Sequence, residues 1–199
     1  MPMNRGKYLL WALLALPAVY LVYRWRAEGL WPDELVAPSG EWAARSIIFA
    51  LMLTPLAMLL PRVRAIKWLL ARRRAFGVAA FLYALLHLGF YVAEMETVRN
   101  MLAELGATGI WTGWAALLLM IPLAATSNDV SMRALRNNWK KLQRLVYPVA
   151  ILTLVHWIFV HNEKIEALVQ FAPLAALQLY RLVRLAAARR SGRALPSTA

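Results

Sequence analysis

The sequence predicts an all-α, polytopic membrane protein: a bundle of six transmembrane helices with both termini on the cytoplasmic side. Of the 199 residues, 61% are hydrophobic, and the mean hydropathy is +0.52, which is typical of membrane proteins. A helix needs about 20 apolar residues to cross a bilayer, so the chain has room for about six spans with short loops. The distribution of charge between the loops predicts the orientation.

Six apolar runs are the candidate spans, and together they form a single transmembrane domain over residues 1–199. The first follows Arg5 and Lys7, and we interpret it as a retained helix because Arg24, Trp25 and Arg26 follow it where a cleavage site would need small residues. Five of the runs contain a proline, which membrane helices tolerate when neighbours satisfy the freed carbonyls. In order, the spans cover residues 8–23, 46–60, 75–93, 109–125, 145–161 and 165–185.

Charged residues separate the spans and indicate which ends are cytoplasmic. The net charge is +13, and it is concentrated in the second loop, the fourth loop and the C-terminal tail: Arg62, Arg64, Lys67, Arg72, Arg73, Arg74; Arg133, Arg136, Lys140, Lys141, Arg144; Arg189, Arg190, Arg193. The alternate loops hold most of the acids: Glu28, Asp33, Glu34, Glu41, Glu94, Glu96, Glu104, Glu163, Glu166. The positive-inside rule places both termini in the cytoplasm, with Arg24 and Arg26 as exceptions. Because topology and contact with anionic lipid explain the basic residues, no nucleic-acid partner is predicted.

Two of the three histidines lie inside apolar runs, His87 in FLYALLHLGFY and His156 in AILTLVHWIFVH. An ionisable side chain inside a membrane span is costly and therefore indicates a functional site. Both spans run outward, and the histidines lie at roughly 18 Å and roughly 16 Å from the inner ends at 1.5 Å per residue. Two imidazoles at matched depth on neighbouring helices are the arrangement that holds a heme iron from both faces.

Other interpretations of these residues stay open at this point. Each histidine can instead be a lone polar residue hydrogen-bonded between helices, or the pair can belong to the proton relay of a small transporter. A relay expects intramembrane carboxylates, and the mid-span regions contain none. His161, beside Asn162 and Glu163, is interpreted as a solvated interface residue. Aromatic residues at the same level can pack against a porphyrin or form an interfacial belt: Phe81, Tyr83, Phe90, Tyr91, Trp157, Phe159.

Four segments of the sequence, taken in their order and spacing, are typical of a known family of membrane proteins: GEWAARSIIFALMLTPLA (40–57), RRRAFGVAAFLYALLHLGFYVAE (72–94), LAATS (123–127) and NNWKKLQRLVYPVAILTLVHWIF (137–159). The sequence resembles the ferric-reductase-like transmembrane family, in particular its members that serve periplasmic methionine-sulfoxide reductases. The resemblance implies a six-helix b-type cytochrome of the bacterial inner membrane. Such a protein passes electrons outward to a periplasmic, molybdopterin-containing subunit that repairs oxidised methionine.

The resemblance also implies specific site residues. His87 and His156 match the two histidines that ligate the heme nearer the periplasm. The family usually has a further histidine thirteen residues before His156, where this chain has Gln143. An amide oxygen binds iron far more weakly than imidazole does. One heme b is therefore expected, unless an unusual ligand such as Met132 holds a second.

A single outer heme leaves much of the membrane for an electron to cross, so an inner cofactor or donor is expected. FMN, served by a cytoplasmic flavin reductase, or quinol would shorten the gap, and candidate contacts are Arg74, Arg133, Trp139 and Lys140. Each of these is also explained by topology or lipid contact. Arg45, at the predicted start of the second span, could pair with a heme propionate, although Glu41 or lipid phosphate would also serve.

Two imidazole ligands leave no open iron position, which favours electron transfer over catalysis at the metal. The predicted function is therefore an electron-relay subunit of an oxidoreductase system, without independent catalysis. The alternative is a heme-free or differently partnered scaffold or assembly protein of the same family. Heme retention separates the two, because a scaffold would be colourless.

Overall fold

The computed structural model describes residues 5–160 and 164–190, and every regular element in them is α-helical. The prediction of an all-α protein is therefore confirmed. His161, predicted as an interface residue, lies outside the described residues. In chain order the helices are α1 (Arg5–Ala27), α2 (Pro32–Leu59), α3 (Arg64–Leu70), α4 (Arg73–Met95), α5 (Val98–Glu104), α6 (Thr108–Ala125), α7 (Asp129–Leu135), α8 (Asn137–Gln143), α9 (Val146–Val160) and α10 (Lys164–Arg190).

Among the described residues, five helical stretches are long and apolar enough to cross a membrane: Gly6–Ala27, Pro32–Leu59, Arg73–Met95, Thr108–Ala125 and Asn137–Val160. The predicted sixth span, 165–185, lies on α10, whose 27 residues also include Lys164, Glu166, Arg181 and Arg184. α10 is not among the five. A multi-pass membrane protein is supported, whereas the count of six spans and the cytoplasmic position of the termini stay predictions.

The second helix begins much earlier than the sequence analysis placed it. α2 starts at Pro32, with Asp33 and Glu34 in its first turn, whereas the apolar run was taken to start near residue 46. Proline is well suited to the first helical position, and acidic side chains there interact favourably with the helix dipole. Asp33 and Glu34, which the sequence analysis assigned to a loop, therefore lie in the first turn of a helix. As a result Arg45 lies in the middle of α2, not at the start of a span.

Two close helix pairs organise the bundle: α2 packs along α4, and α6 packs along α9, while α10 contacts both α2 and α9. A shared core joins buried side chains from these helices, among them Ile47, Ala80, Met120, Val149 and Phe171. α1 stands at the edge and contacts α2 and α4. The Tyr83 hydroxyl ties it to α4, donating to the Leu14 carbonyl (2.6 Å) and accepting from the Ala18 N–H (3.2 Å).

Close contact between α6 and α9 depends on Gly109. A Cβ added there would lie 2.6 Å from Val160 Cγ2, and 3.1 Å from the Val160 backbone nitrogen. Gly109 and Gly113 form a G-x-x-x-G pattern, which lets the backbones of membrane helices approach closely. This approach brings a backbone carbonyl of α6 within reach of side chains on α9.

Candidate functional site

The structure brings His87 and His156 together. His87 lies on α4 and His156 on α9, and their ring centroids are 5.9 Å apart with planes inclined at 87°. Two imidazoles that share one metal ion through bonds of about 2.0–2.1 Å have ring centres about 6 Å apart. The separation of the two rings therefore suits a pair of axial ligands. Both side chains are half-buried.

A backbone carbonyl orients each of the two rings. His87 Nδ1 lies 2.8 Å from the Val36 carbonyl oxygen on α2, and His156 Nδ1 lies 2.7 Å from the Gly109 carbonyl oxygen on α6. A carbonyl oxygen only accepts hydrogen bonds, so Nδ1 carries a proton in both rings. Metal-binding histidines are commonly oriented by the same kind of bond.

The two rings border a cavity with an interior volume of about 110 Å³ that is open at its mouth. Small side chains on α2, α4 and α6 leave this space, and apolar ones cover most of its wall. Its lining is Ala37, Gly40, Glu41, Ala43, Ala44, Ile47, Ala84, His87, Leu88, Tyr91, Ile110, Gly113, Trp114, Ala116, Leu117, Met120, Thr153, His156 and Trp157. A largely apolar cavity with a few convergent polar groups is typical of a cofactor site. Two imidazoles beside apolar walls fit a heme.

The aromatic residues singled out in the sequence divide between this cavity and other parts of the bundle. Tyr91 and Trp157 line it. Phe90 packs edge-on against Trp25 of α1, and the Tyr83 ring stacks on Trp42. Phe159 is exposed, and Phe81 belongs to the main core. Trp114, which the sequence analysis did not consider, also lines the cavity.

Arg45 lies one helical turn after Glu41, which lines the cavity, and its side chain has protein partners. Its Nη2 is 2.6 Å from the cavity-lining Glu41 carboxylate, and its Nε donates to Gln170 Oε1 on α10 at 3.0 Å. The guanidinium also lies 5.5 Å from the centre of the Trp42 ring. Of the alternative partners considered for Arg45, Glu41 is the one in contact. The propionate role stays a prediction.

Gln143, at the position of the expected further histidine, is part of the junction between α8 and α6. Its amide nitrogen donates to the Leu123 carbonyl (3.2 Å) and to Thr126 Oγ1 (3.1 Å). Nearby, the buried Trp139 donates from Nε1 to the Thr126 carbonyl at 2.8 Å. Neither Gln143 nor Trp139 lines the histidine cavity. Within the described residues, no group of three or more His, Cys, Asp or Glu side chains could hold a metal ion.

A second polar cluster surrounds Asp129 at the start of α7. Arg74 Nη2 lies 2.7 Å from Asp129 Oδ1, while Arg74 Nη1 is buried without a hydrogen-bond partner among the described residues. The hydrogen bond and charge of Arg74, aided by the charges of Arg133 and Lys7, hold the pKa of Asp129 below its usual range. Arg74 and Arg133 therefore belong to one cluster. Trp139 lies on α8 and packs against the end of α6.

Sequence reasoning missed the groups that hold the histidines. Val36 and Gly109 act through their backbone carbonyls, which leave no trace in side-chain chemistry. Gly40 and Gly113 lie against the imidazoles, and a Cβ at either position would come within 3.0 Å or less of a histidine Nδ1. The G-x-x-x-G spacing on α6 was the one available signal, because it predicts a close helix contact.

Comparison with known proteins supports the resemblance. The family model described as the ferric reductase like transmembrane component matches residues 10–154. Proteins named protein-methionine-sulfoxide reductase heme-binding subunit MsrQ are similar to this chain. The one from Rhizobium meliloti is 36% identical over 187 residues, covering 88% of this chain and 83% of the relative.

Two further relatives carry the same name. The protein from Xanthomonas euvesicatoria is 34% identical over 162 residues, covering 79% of this chain and 72% of the relative. The one from Brucella anthropi is 32% identical over 189 residues, covering 90% and 84%. No solved structure matches the chain. With the family model matching most of its length, the chain belongs to the ferric-reductase-like transmembrane family.

Proposed function

We propose that this chain is the heme-binding membrane subunit of a protein-methionine-sulfoxide reductase system, and that it relays electrons through one heme b held by His87 and His156. One observation carries the proposal: two imidazoles from different helices lie with their ring centroids 5.9 Å apart beside an apolar cavity. The names of the relatives, which are heme-binding subunits, support it.

The residues around the cavity suit electron transfer in three ways. Nδ1 of His87 donates to the Val36 carbonyl and Nδ1 of His156 donates to the Gly109 carbonyl, so Nε2 is the ring atom that would bind the iron. The apolar wall limits water and keeps the local dielectric low, which tunes a redox centre. When bound, a heme with two histidine ligands supplies a one-electron carrier without an open coordination position.

The proposal includes one heme rather than two. The amide of Gln143 is occupied with two hydrogen bonds to α6, and its oxygen is a weak ligand compared with imidazole. Met132 is 39% exposed on α7, so it lacks the enclosed surroundings of an axial ligand. A second heme at the end of the bundle near Gln143 is therefore not part of the proposed relay.

Electrons are proposed to enter at the predicted cytoplasmic end. The cationic cluster of Lys7, Arg74 and Arg133 around Asp129 offers positive charge to the phosphate of FMN. Quinol is the alternative donor, and a cytoplasmic flavin reductase would serve an FMN site. Trp139 and Lys140, on neighbouring α8, complete the set of predicted contacts.

Electrons are proposed to leave at the opposite end for a periplasmic, molybdopterin-containing reductase that repairs methionine sulfoxide. The names of the relatives support a methionine-sulfoxide reductase as the partner. The orientation rests on the charges of the loops, which place both termini in the cytoplasm and the acidic loops outside. The chain would then be a multi-pass protein of the bacterial inner membrane.

The test is the optical spectrum of the purified protein, oxidised and reduced, with a pyridine hemochrome count per chain. The wild-type protein should show low-spin b-type bands and about one heme per chain. His87→Ala and His156→Ala should each lose the heme, whereas His161→Ala should keep it. Bleaching of His161→Ala with retention in His156→Ala would show that the ligand is misassigned.

Two other results would change the proposal. About two hemes per chain would mean that an inner ligand exists. A colourless wild-type protein, expressed with ample heme, would leave the scaffold or assembly function as the better interpretation.

A further inference from the structure

The two histidines are held by the same local structure on two different helices. On α2, the Val36 carbonyl oxygen accepts from His87 Nδ1 at 2.8 Å. Three residues later, the Ser39 hydroxyl donates to the same oxygen at 2.8 Å. One residue further, Gly40 presents no side chain, and a Cβ there would lie 3.0 Å from His87 Nδ1.

On α6 the same three elements recur with the same spacing. The Gly109 carbonyl oxygen accepts from His156 Nδ1 at 2.7 Å. The Thr112 hydroxyl, three residues later, donates to that oxygen at 2.8 Å. A Cβ at Gly113, four residues after Gly109, would lie 2.6 Å from His156 Nδ1. We call each set of carbonyl, hydroxyl and glycine a seat: Val36–Ser39–Gly40 and Gly109–Thr112–Gly113.

The spacing has a geometric reason. In a helix, the carbonyl of one residue points along the axis toward the residue four positions later. A ring from a neighbouring helix that reaches this carbonyl must pass the Cβ of that later residue. A glycine at that position removes the obstacle. A Cβ would crowd the ring at Gly40, at 3.0 Å, and overlap it at Gly113, at 2.6 Å.

The Ser39 and Thr112 hydroxyls of the two seats are buried. Ser39 is 0% exposed and Thr112 is 1% exposed. Each donates to two carbonyls of its own helix, as serine and threonine commonly do in membrane helices: Ser39 to Leu35 and Val36, and Thr112 to Thr108 and Gly109. The carbonyl that accepts from each imidazole thus also accepts from a buried hydroxyl.

We infer that the two seats are positioning elements that hold the axial imidazole planes nearly perpendicular and moderate their basicity. The inference rests on the proposed heme site and adds to it the residues that set its electronic character. Each ring is fixed at the Nδ1 edge by a carbonyl and a glycine, and the resulting angle between the planes is 87°. Hydrogen bonds from outer partners fix ligand orientation and tune the metal.

The angle has a spectroscopic consequence. Two of the iron d orbitals interact with the π systems of the imidazoles. When the two ring planes are parallel, these two orbitals differ in energy. When the planes are perpendicular, the two orbitals are nearly equal in energy. The oxidised wild-type protein should therefore give a highly anisotropic low-spin electron paramagnetic resonance (EPR) spectrum, dominated by one low-field feature. A ring that rotates in its seat should shift that feature toward the three-line rhombic form.

The first experiment compares Gly40→Ala and Gly113→Ala with Gly77→Ala and Gly89→Ala. The last two are matched controls, because a Cβ at Gly77 or Gly89 meets nothing within 4 Å. Heme per chain, the low-temperature EPR spectrum and the midpoint potential are measured for each. Gly113→Ala should be perturbed most, Gly40→Ala less, and the controls should match the wild type. Loss of the hydrogen-bond partner of a metal-binding histidine typically weakens metal binding about 10–100-fold.

Ser39→Ala and Thr112→Val each remove the hydroxyl, and Thr112→Val keeps the side-chain volume. Ser39→Ala also removes a 3.5 Å contact between Ser39 Oγ and His87 Nδ1, so Thr112→Val is the variant that changes the carbonyl alone. The carbonyl then accepts more strongly from the imidazole N–H, which makes the ligand more electron-donating and should lower the midpoint potential. A tenfold change in the oxidised-to-reduced ratio corresponds to about 59 mV for one electron. If Gly113→Ala loses its heme altogether, Thr112→Val decides: a lower potential supports the seats, and an unchanged one overturns them.

The outcomes separate this inference from the proposed function. If the wild-type protein binds low-spin heme but Gly40→Ala and Gly113→Ala match it in spectrum and potential, the seats are refuted and the heme site stands. A rhombic wild-type spectrum likewise refutes the perpendicular arrangement alone. If the wild-type protein binds no heme, the proposed function fails and the seats fail with it.

Discussion

Gly109→Ala tests the helix contact on which the His156 site depends. The added Cβ would lie 2.6 Å from Val160 Cγ2, 3.1 Å from the Val160 nitrogen and 3.2 Å from the Phe159 carbonyl carbon. Carbon atoms in contact prefer about 3.5–4.0 Å. The valine methyl can move, but the α9 backbone cannot move without shifting the helix. We expect α6 and α9 to separate by a few tenths of an ångström.

The expected cost follows from two opposing effects. Overpacking a well-packed contact costs about 1–3 kcal/mol, while replacing glycine by alanine inside a helix gains about 1 kcal/mol. The net expectation is a destabilisation of about 0–2 kcal/mol. The same shift would lengthen the 2.7 Å contact between His156 Nδ1 and the Gly109 carbonyl oxygen, so heme should also be held less tightly.

The assay is thermal unfolding of the detergent-solubilised protein followed by circular dichroism, with heme content measured in parallel. Gly77→Ala is the matched control, because its Cβ meets nothing within 4 Å, and it should gain stability from helix propensity alone. The double variant Gly109→Ala, Val160→Ala lacks the Val160 Cγ2 methyl but keeps the close backbone contacts. Its stability should therefore return only part of the way to that of the wild type. If Gly109→Ala is as stable as Gly77→Ala, the close contact between α6 and α9 is wrong.

Three further predictions concern the predicted cytoplasmic end of the bundle. Trp139→Phe removes the Nε1 donor to the Thr126 carbonyl and leaves a half-buried acceptor unpaired. We expect the free energy of unfolding, measured by thermal unfolding, to fall by about 1–3 kcal/mol. Trp68→Phe, at an exposed site, should cost less. Gln143→His should leave the hemochrome count at one, since the two histidines among the described residues, His87 and His156, both border the other cavity; a count of two would show that a second ligand can pair with residue 143. The lowered pKa of Asp129 means that its pairing with Arg74 contributes above the usual carboxyl pKa of about 3.9 and is lost as the pH falls through the folded value. Asp129→Asn should therefore make the unfolding temperature depend less on pH below about pH 4. If this pH dependence is the same as in the wild type, the pair contributes nothing to stability.

Residue patterns were sufficient for the coarse description of this molecule. Apolar runs predicted an all-helical membrane protein, because burying unpaired backbone groups in lipid leaves only helices or closed barrels as solutions. The rarity of intramembrane ionisable groups singled out His87 and His156, which the structure places in contact. The prediction was wrong for the start of α2, where Pro32, Asp33 and Glu34 were read as a loop although they suit a helix N-terminus.

The remaining features were decided by tertiary structure. Arg45 pairs with Glu41 and Gln170, and the last of these lies on a helix distant in sequence. Gln143 and Trp139 bind the end of α6 rather than the histidine cavity. Nothing in the order of residues says which helix a polar side chain will meet, because side-chain reach depends on how the helices are arranged.

The sequence by itself predicted a protein that crosses a membrane and two histidines at similar depth within it. Those properties follow from the free energy of moving each side chain into lipid, which is local. The tertiary structure decided the seats: which carbonyl each imidazole meets, and the angle of 87° between the rings. Backbone carbonyls are the same in every residue, so only the approach of α2 to α4 and of α6 to α9 selects Val36 and Gly109 as partners.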